Sequence, residues 1–368
     1  MLNIALLSPY KNSYSETFIQ QHRLNITGNV IYYFNGNIPK ENNCSGILLT
    51  NSVLIKLRIQ KGFKKTKFSL NELALINSFK KEKINVVVAE YGTTAADVLR
   101  VCEFLNLPLI PIFHGYDASI KKILNIYNKK YNLLFNYVKK IIVVSKEIKK
   151  TLISLGCKEE KIIITPCAPN DEFFNLKPSF NNQCFFGVGR FVDKKAPYYT
   201  ILAFHKILRQ FPKAQLVLAG DGPLYNVCFN LIKILNITKN VKLLGKISPK
   251  EIKIQLLASV GFVQHSIIAL DGDSEGTPVS ILEASAAGLP IISTFHAGIP
   301  DVVKNNETGF LVKEHDVNGM SKKMILLLKD IKKSEEMGLA GKDYVFNSFR
   351  KSIHIEKINK VIKDVCNE

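Results

Sequence analysis

The 368-residue chain has seven cysteines, at 44, 102, 157, 167, 184, 228 and 366, and no two of them form a C-x-x-C pair. An odd count without close pairs points away from a disulfide framework. It suits a reduced, cytoplasmic protein whose cysteines are small apolar fillers. Long apolar runs are missing too: none approaches the roughly 18–20 residues that span a bilayer. The first residues, MLNIALLSPY, lack the charged start and long apolar core of a signal peptide. If the protein works at a membrane, it is expected on the surface, on the inner face of the cytoplasmic membrane. Acidic residues are in short supply, 31 Asp+Glu against 50 Lys+Arg, for a net charge of +19.

That positive excess is spread over the chain. Residues 1–175 carry 24 basic and 13 acidic side chains, residues 176–368 carry 26 and 18, and a local maximum of nine basic against two acidic lies at 56–83. Such a surface attracts polyanions, whether nucleic acid, anionic lipid or phosphate-bearing substrate, although a solvated lysine-rich face is the plainer reading. Hydrophobic residues make up 46% and charged ones 22%, which fits globular domains with sizeable cores.

Short apolar runs alternate with helical periodicity. Strands are expected at 3–8, 30–34, 86–90, 109–114 and 141–145, then at 184–189, 215–220, 241–245, 261–266, 290–294 and 309–312. Helices are expected at 16–24, 70–83, 94–105, 146–155, 197–209, 224–235 and 250–257. Continuous short strands mean parallel sheets covered on both faces, and β-α alternation means doubly wound α/β units. The stretch PCAPNDEFFNLKPSFNN (166–182), with three prolines and four asparagines, is the linker candidate. The expected division is 1–175 and 176–349. A last helix near 350–368 carries apolar residues at 353, 355, 358, 361, 362 and 365, a stripe that must pack on something.

Chemistry collects at the strand ends. After 184–189 come Arg190 and Lys195, spaced to clamp a diphosphate or merely to face water. The third glycine of G-x-G-x-x-G is absent, since position 192 is Val. The next strand ends in AGDGPL (219–224), where Gly220 and Gly222 permit close backbone approach and Asp221 could cap a helix. Gly245 closes the strand after that. Further on, DSEGTPVSILEASAAGLP (273–290) reads as a capped helix with Thr277 as N-cap, Pro278 in the first turn and Gly288 as terminator. Its opening amides at Gly276–Val279 could equally hold a phosphate between Glu275 and Glu283. In the first half a strand delivers His114-Gly115-Tyr116-Asp117. Such a histidine can donate to a substrate oxygen or titrate near neutrality, or be structural. Ser13 or Ser15 is expected to cap the helix starting near Glu16.

Taken in order, GRFVDKKA (189–196), AGDGPL (219–224), EGTPVSILE (275–283), EASAAGLPIIST (283–294) and AGIPDVV (297–303) resemble the retaining GT-B glycosyltransferases of family 4. SETFI (15–19), YGTTAA (91–96) and HGYD (114–117) look like the bacterial subgroup that builds capsule, lipopolysaccharide and other exopolysaccharides. The resemblance implies two Rossmann-like domains facing a central cleft, with the last helix crossing back onto the first. It implies a UDP- or GDP-sugar donor, no cofactor and no metal, and a saccharide or lipid-linked acceptor. Arg190 and Lys195 would bind the diphosphate, Glu283 the ribose and Glu275 the donor sugar. Gly276, Thr277 and Val279 would hold sugar and phosphate, with Gly220 and Gly245 in the same donor set. His114 would approach the sugar from the other domain. The implied catalytic group is His114, Glu275, Arg190 and Lys195.

Two departures stand out. SPYKNSYSE, after the first strand, lacks the Gly-Gly loop of many members. Asp271-Gly272-Asp273 spells D-x-D, read here as a solvated loop. A nucleotide-sugar 2-epimerase on the same fold would share the donor site but need no acceptor. A nucleic-acid-binding protein, prompted by the charge, lacks any recognised module, and no nucleic acid partner is expected.

Overall fold

The structure is a computed structural model and describes residues 1–11, 17–55, 57 and 67–367. The expected cap at Ser13 or Ser15, and most of the basic cluster in 56–83, fall outside these residues.

The apolar runs become short strands with both faces covered. The first sheet contains β1 (Asn3–Leu7), β2 (Asn29–Phe34), β3 (Glu41–Asn42), β4 (Gly46–Ile47), β5 (Val86–Glu90), β6 (Leu109–Phe113), β7 (Ile141–Val143) and β8 (Ile162–Ile164). Every residue of β5 and β6 is buried, as the unbroken apolar pattern demands. The order is β4-β3-β2-β1-β5-β6-β7-β8. All pairings are parallel except those of β3 with β2 and β4, a small hairpin on the edge. The second sheet contains β9 (Cys184–Val188), β10 (Gln215–Ala219), β11 (Val241–Leu243), β12 (Gly261–Val263), β13 (Ile291–Thr294) and β14 (Gly309–Val312). Its order, β11-β10-β9-β12-β13-β14, is the 3-2-1-4-5-6 of a Rossmann fold. Strand order reverses at β1/β5 in one sheet and at β9/β12 in the other. Ligands of open α/β sheets sit beyond the carboxyl ends of strands at such points.

The chain divides into Met1–Thr165 with His354–Glu368, and Pro166–Ile353. The boundary thus falls ten residues before the expected 175/176. The reason is burial: Phe173 and Phe180, from the linker candidate, pack into the core of the second unit. The apolar stripe of the helix Lys351–Asn367 is buried at Ile355, Ile358, Val361, Ile362 and Val365. Asn359 pins this helix to the first unit, accepting from Thr27 N at 2.9 Å and donating to Thr27 Oγ1 at 3.0 Å.

Several expected ends move. β12 stops at Val263 rather than 266, because Ser293 Oγ and Thr294 Oγ1 donate to the carbonyls of Gln264 and Ser266 and so replace ladder bonds. Helices Lys121–Tyr137, Val317–Lys329 and Ile331–Phe349 had no counterpart in the sequence reading. The first of them is mostly Lys, Asn and Tyr, and buries only Tyr131, Leu134 and Phe135.

Candidate active site

At the reversal point of the second sheet, β9 runs out through Gly189 and Arg190 into a short turn, Asp193–Lys195. Lys195 Nζ lies 3.0 Å from Glu275 Oε1, and both side chains are largely withdrawn from water. Lys195 also donates to Gln264 Oε1 at 3.3 Å. Gln264, just past β12, accepts from Ser280 Oγ at 3.2 Å as well, which ties the lysine loop to the first turn of the helix Val279–Ala287. Its other end donates to Ser266 Oγ at 2.9 Å. Gly187, Gly189, Arg190, Lys195, Ala219 and Gln264 line a small hollow. Arg190 is exposed.

Burial lowers the Lys195 ammonium below its ordinary value against the pull of Glu275, with Lys194 and Arg190 adding repulsion. Burial acts to raise the Glu275 carboxyl, but Lys195 and Lys194 outweigh it and hold it below its usual range. The carboxylate is therefore ionised and paired with a lysine under cationic pressure. An arriving diphosphate would relieve that pressure.

The helix after Glu275 is not capped as the sequence suggested. Its N-cap is Pro278, which makes no side-chain cap, and Val279 is the first helical residue. Thr277 is buried one residue outside. The start therefore leaves first-turn amides at Val279 and Ser280 with no carbonyl one turn earlier in the helix to bond. Gly276 is buried between Glu275 and Thr277. Gly288 ends the helix at φ +94° as expected. Glu283, in the second turn, is half-buried, and burial pushes its carboxyl up to about 8.

Gly220 serves packing rather than an open face. Its φ is +130°, and a Cβ there would stand 1.8 Å from Gly189 O. Gly245, at φ +65°, opens onto free space instead. Asp271 and Asp273 form a turn, Asp271 Oδ1 accepting from Asp273 N at 2.9 Å. Asp273 is not merely solvated, since Lys194 Nζ holds its Oδ1 at 2.9 Å and donates to Ser274 O at 3.1 Å. Among the described residues no group of three or more His, Cys, Asp or Glu could hold a metal.

Lys194, Gln264, His296 and Glu314 escaped the sequence reading. His296 is fully buried. Its Nδ1 meets Glu314 Oε1 at 2.7 Å, and its Nε2 accepts the amide of Glu275 at 3.1 Å. Glu314 Oε2 accepts from Ile268 N at 2.9 Å. One histidine and one carboxylate thus hold both ends of the loop that carries Glu275. The only sequence signal was His296 beside the AGIPDVV block.

His114 belongs to the first unit, just beyond β6. Asp117 organises its turn by accepting from the amides of Gly92, His114 and Gly115 at 2.7, 3.1 and 3.0 Å. The His114 ring stacks on Phe18 at 4.4 Å and donates or accepts through Nε2 at 2.7 Å from Glu90 Oε2.

Comparison with known proteins decides the family. Residues 170–344 match the family described as glycosyl transferases group 1, and residues 33–173 match glycosyltransferase family 4. The chain is a GT-B glycosyltransferase. Among its relatives, the amylovoran biosynthesis glycosyltransferase of Erwinia amylovora is 29% identical over 74% of this chain and 68% of its own length. The putative colanic acid biosynthesis glycosyltransferase of Escherichia coli is 28% identical over 66% of this chain, which spans 61% of that relative. The Anabaena protein HepE, solved with UDP, superposes with a TM-score of 0.79 over 99% of this chain and all of its own, at 14% identity. Sucrose-phosphate synthase of Thermosynechococcus elongatus gives 0.76 at 17% identity over 99% of both chains. Both matched families are transferases, which disfavours the epimerase and nucleic-acid readings. No helix of this glycosyltransferase among the described residues is long and apolar enough to cross a membrane.

Proposed function

We propose that this glycosyltransferase moves a hexose from a UDP- or GDP-sugar to a saccharide or lipid-linked acceptor in surface-polysaccharide biosynthesis, with retention at the anomeric carbon. The observation that carries the reading is the buried Lys195–Glu275 pair at the β9/β12 reversal. Lys195 and Arg190 take the diphosphate together with the free amides at Val279 and Ser280, and Glu275 takes hydroxyls of the donor sugar. Glu283 takes the ribose. The bond from the anomeric carbon to the phosphate oxygen breaks as a new bond forms to the acceptor oxygen on the same face. The departing phosphate accepts the acceptor's proton, so no protein nucleophile is needed. Positive charge at Arg190 and Lys195 stabilises the leaving group electrostatically, in place of a metal ion. Names of relatives from amylovoran and colanic acid biosynthesis support the polysaccharide setting.

A thermal-shift screen against UDP, GDP and their hexose conjugates tests the donor class, followed by turnover with the stabilising donor in the presence of a metal chelator. Stabilisation by one nucleotide family, lost in Lys195→Ala and Glu283→Ala, supports the assignment. Full donor turnover in either variant removes it. The basic excess suits a peripheral seat on an anionic membrane face. Flotation with anionic and neutral vesicles checks that part, and equal binding to both discards it.

A further inference from the structure

Two lysines stand side by side in the turn Asp193–Lys195, and they serve different partners. Lys195 lines the hollow with Gly189, Arg190 and Gln264 and pairs with Glu275. Lys194 reaches the loop before Glu275 instead and is only 8% exposed, a rare setting for a lysine unless it is paired. Its ammonium lies 2.9 Å from Asp273 Oδ1 and donates to Ser274 O at 3.1 Å. Its carbonyl accepts from Ile267 N at 3.0 Å. One residue therefore grips both ends of the loop 267–274. Inside that loop Ala269 N donates to Asp273 O at 3.0 Å and Gly272 N to Ala269 O at 2.8 Å. The loop is thus closed on itself, and Lys194 fastens it to the turn that carries Lys195.

Lys195 has one ammonium for two anions. A diphosphate beside Arg190 carries more negative charge than one carboxylate and competes with Glu275 for it. Glu275 is 6% exposed, and a buried carboxylate that loses its counter-ion is costly. Lys194 is the cation that stays. Burial acts to raise the Glu275 carboxyl, and Lys194 joins Lys195 in holding it below its usual range. We propose that Lys195 changes partner from Glu275 to the diphosphate when the donor arrives, and that Lys194 is the positioning residue that keeps the Glu275 loop fastened during the exchange. The inference rests on the reading of Lys195 as a diphosphate ligand and of Glu275 as the residue that takes sugar hydroxyls. It adds a coupling between the two: the diphosphate releases Glu275 from its lysine, and the released carboxylate is the one that accepts from the sugar. The neighbouring lysines thus divide the work, one moving and one holding.

The test is calorimetry on the full-length protein with UDP or GDP, whichever the screen above selects, and separately with the hexose conjugate of that nucleotide. The exchange is read in Glu275→Gln, which no longer competes for Lys195. The bare nucleotide should bind about threefold or more tighter than to the wild type, while the hexose conjugate loses affinity. Unchanged or weaker binding of the bare nucleotide overturns the exchange. The holding role is read in Lys194→Met. Affinity for the bare nucleotide should change by less than about twofold, while the hexose conjugate binds about tenfold more weakly. Equal losses for both ligands make Lys194 a diphosphate contact and overturn the positioning role. A lower melting temperature with both affinities unchanged assigns Lys194 a merely structural role and overturns it too. Asp273→Ala should reproduce the Lys194→Met pattern, and Asp273→Asn, which keeps an oxygen for the ammonium, should restore most of it. In a Lys194→Met background Asp273→Ala should cost nothing further, and a full additional loss refutes the shared grip. Should Lys194→Met not fold, Asp273→Ala carries the same reading alone. If Lys195→Ala keeps full affinity for the bare nucleotide, the diphosphate assignment itself fails, an outcome distinct from an intact Lys195 effect with no response at Lys194.

Discussion

Lys195 Nζ lies 3.0 Å from Glu275 Oε1, with the lysine side chain 15% and the glutamate 7% exposed. Each is the partner the other needs to stay charged in a dry place. Breaking a buried pair by removing one member leaves an uncompensated charge, at a typical cost of about 3–5 kcal/mol. Lys194 also favours the Glu275 charge, so Lys195→Met should cost the low end of that range, about 3 kcal/mol, in denaturant unfolding. The folded Glu275 holds its proton more weakly than an unfolded glutamate. Its stabilising contribution is present above the ordinary value of 4.5 and disappears as pH falls through the lowered one. Removing Lys195 should therefore erase part of the gain in stability between acid and neutral pH. Unfolding curves for the wild type and Lys195→Met that run parallel from pH 3 to 7 would contradict the pairing.

Glu283 behaves in the opposite sense. Burial raises its carboxyl from 4.5 to about 8, so the folded protein binds this proton more tightly than the unfolded chain. Stability from this group is complete below about pH 4.5 and is lost as pH rises toward 8. Glu283→Gln cannot lose the proton. Its melting temperature relative to the wild type should rise between pH 5 and pH 8.5. Ribose hydroxyls donating to the carboxylate favour its ionised form, so UDP or GDP binding at pH 7 should release a proton. Calorimetry in buffers of different ionisation enthalpy reads that proton directly. No buffer dependence, or a pH-independent gap between the two proteins, counts against the assignment.

Gly220 and Gly245 make a matched pair for mutation. At Gly220 a Cβ would lie 1.8 Å from Gly189 O at φ +130°, and the neighbouring loop holds Arg190. Phe191 N donates to Asp221 O at 2.9 Å and Gly189 N to Ala219 O at 3.0 Å, so the two loops cannot separate cheaply. Gly220→Ala should destabilise by about 3 kcal/mol or more, since left-handed strain alone costs about 1–3 and the clash is with backbone. It should also displace Arg190 and weaken nucleotide binding. At Gly245 nothing lies within 4 Å, so Gly245→Ala should cost only about 1 kcal/mol of backbone strain. Any loss of nucleotide affinity beyond that marks Gly245 as a contact of the ligand. Equal destabilisation by the two substitutions would refute the packing argument.

The parts of the site visible in the sequence were those carried by one loop each. Arg190, Lys195 and Glu275 announce themselves because they follow short apolar strands, and the β-α rhythm says where strand ends must gather. Burial continuity did the same for the sheets. Residues whose role arises from distant pairing stayed silent. His22 and His354 are 332 positions apart, and nothing local distinguishes either from a surface histidine on a polar helix. Gln264 looked like the middle of a strand until side-chain hydroxyls of Ser293 and Thr294 proved to end that strand early. The helix start at Val279 was placed one residue too early because Thr277 is a better cap by type than Pro278. The buried setting of Thr277 overrides that preference.

His296 tests how far the loop bearing Glu275 must be fixed for the site to work. It has no exposed surface, donates through Nδ1 to Glu314 and accepts the Glu275 amide at Nε2. Replacing it by alanine leaves a buried amide and a carboxylate oxygen without this partner. The buried amide left unsatisfied costs about 1–3 kcal/mol, and water can reach the Glu314 carboxylate, whose side chain is 22% exposed, so His296→Ala should lose about 1–3 kcal/mol. His296→Gln keeps one donor and one acceptor on a side chain of similar reach and should recover at least half of that. The effect on function should show as a rise in KM for the nucleotide sugar, about tenfold, because a loosened loop misplaces Glu275 before the chemistry begins. A purely structural role would lower the melting temperature and leave KM of the surviving folded enzyme unchanged. Kinetics at a temperature where both variants remain folded separate the two outcomes. An unchanged KM in His296→Ala would show that Glu275 is held by Lys195 alone.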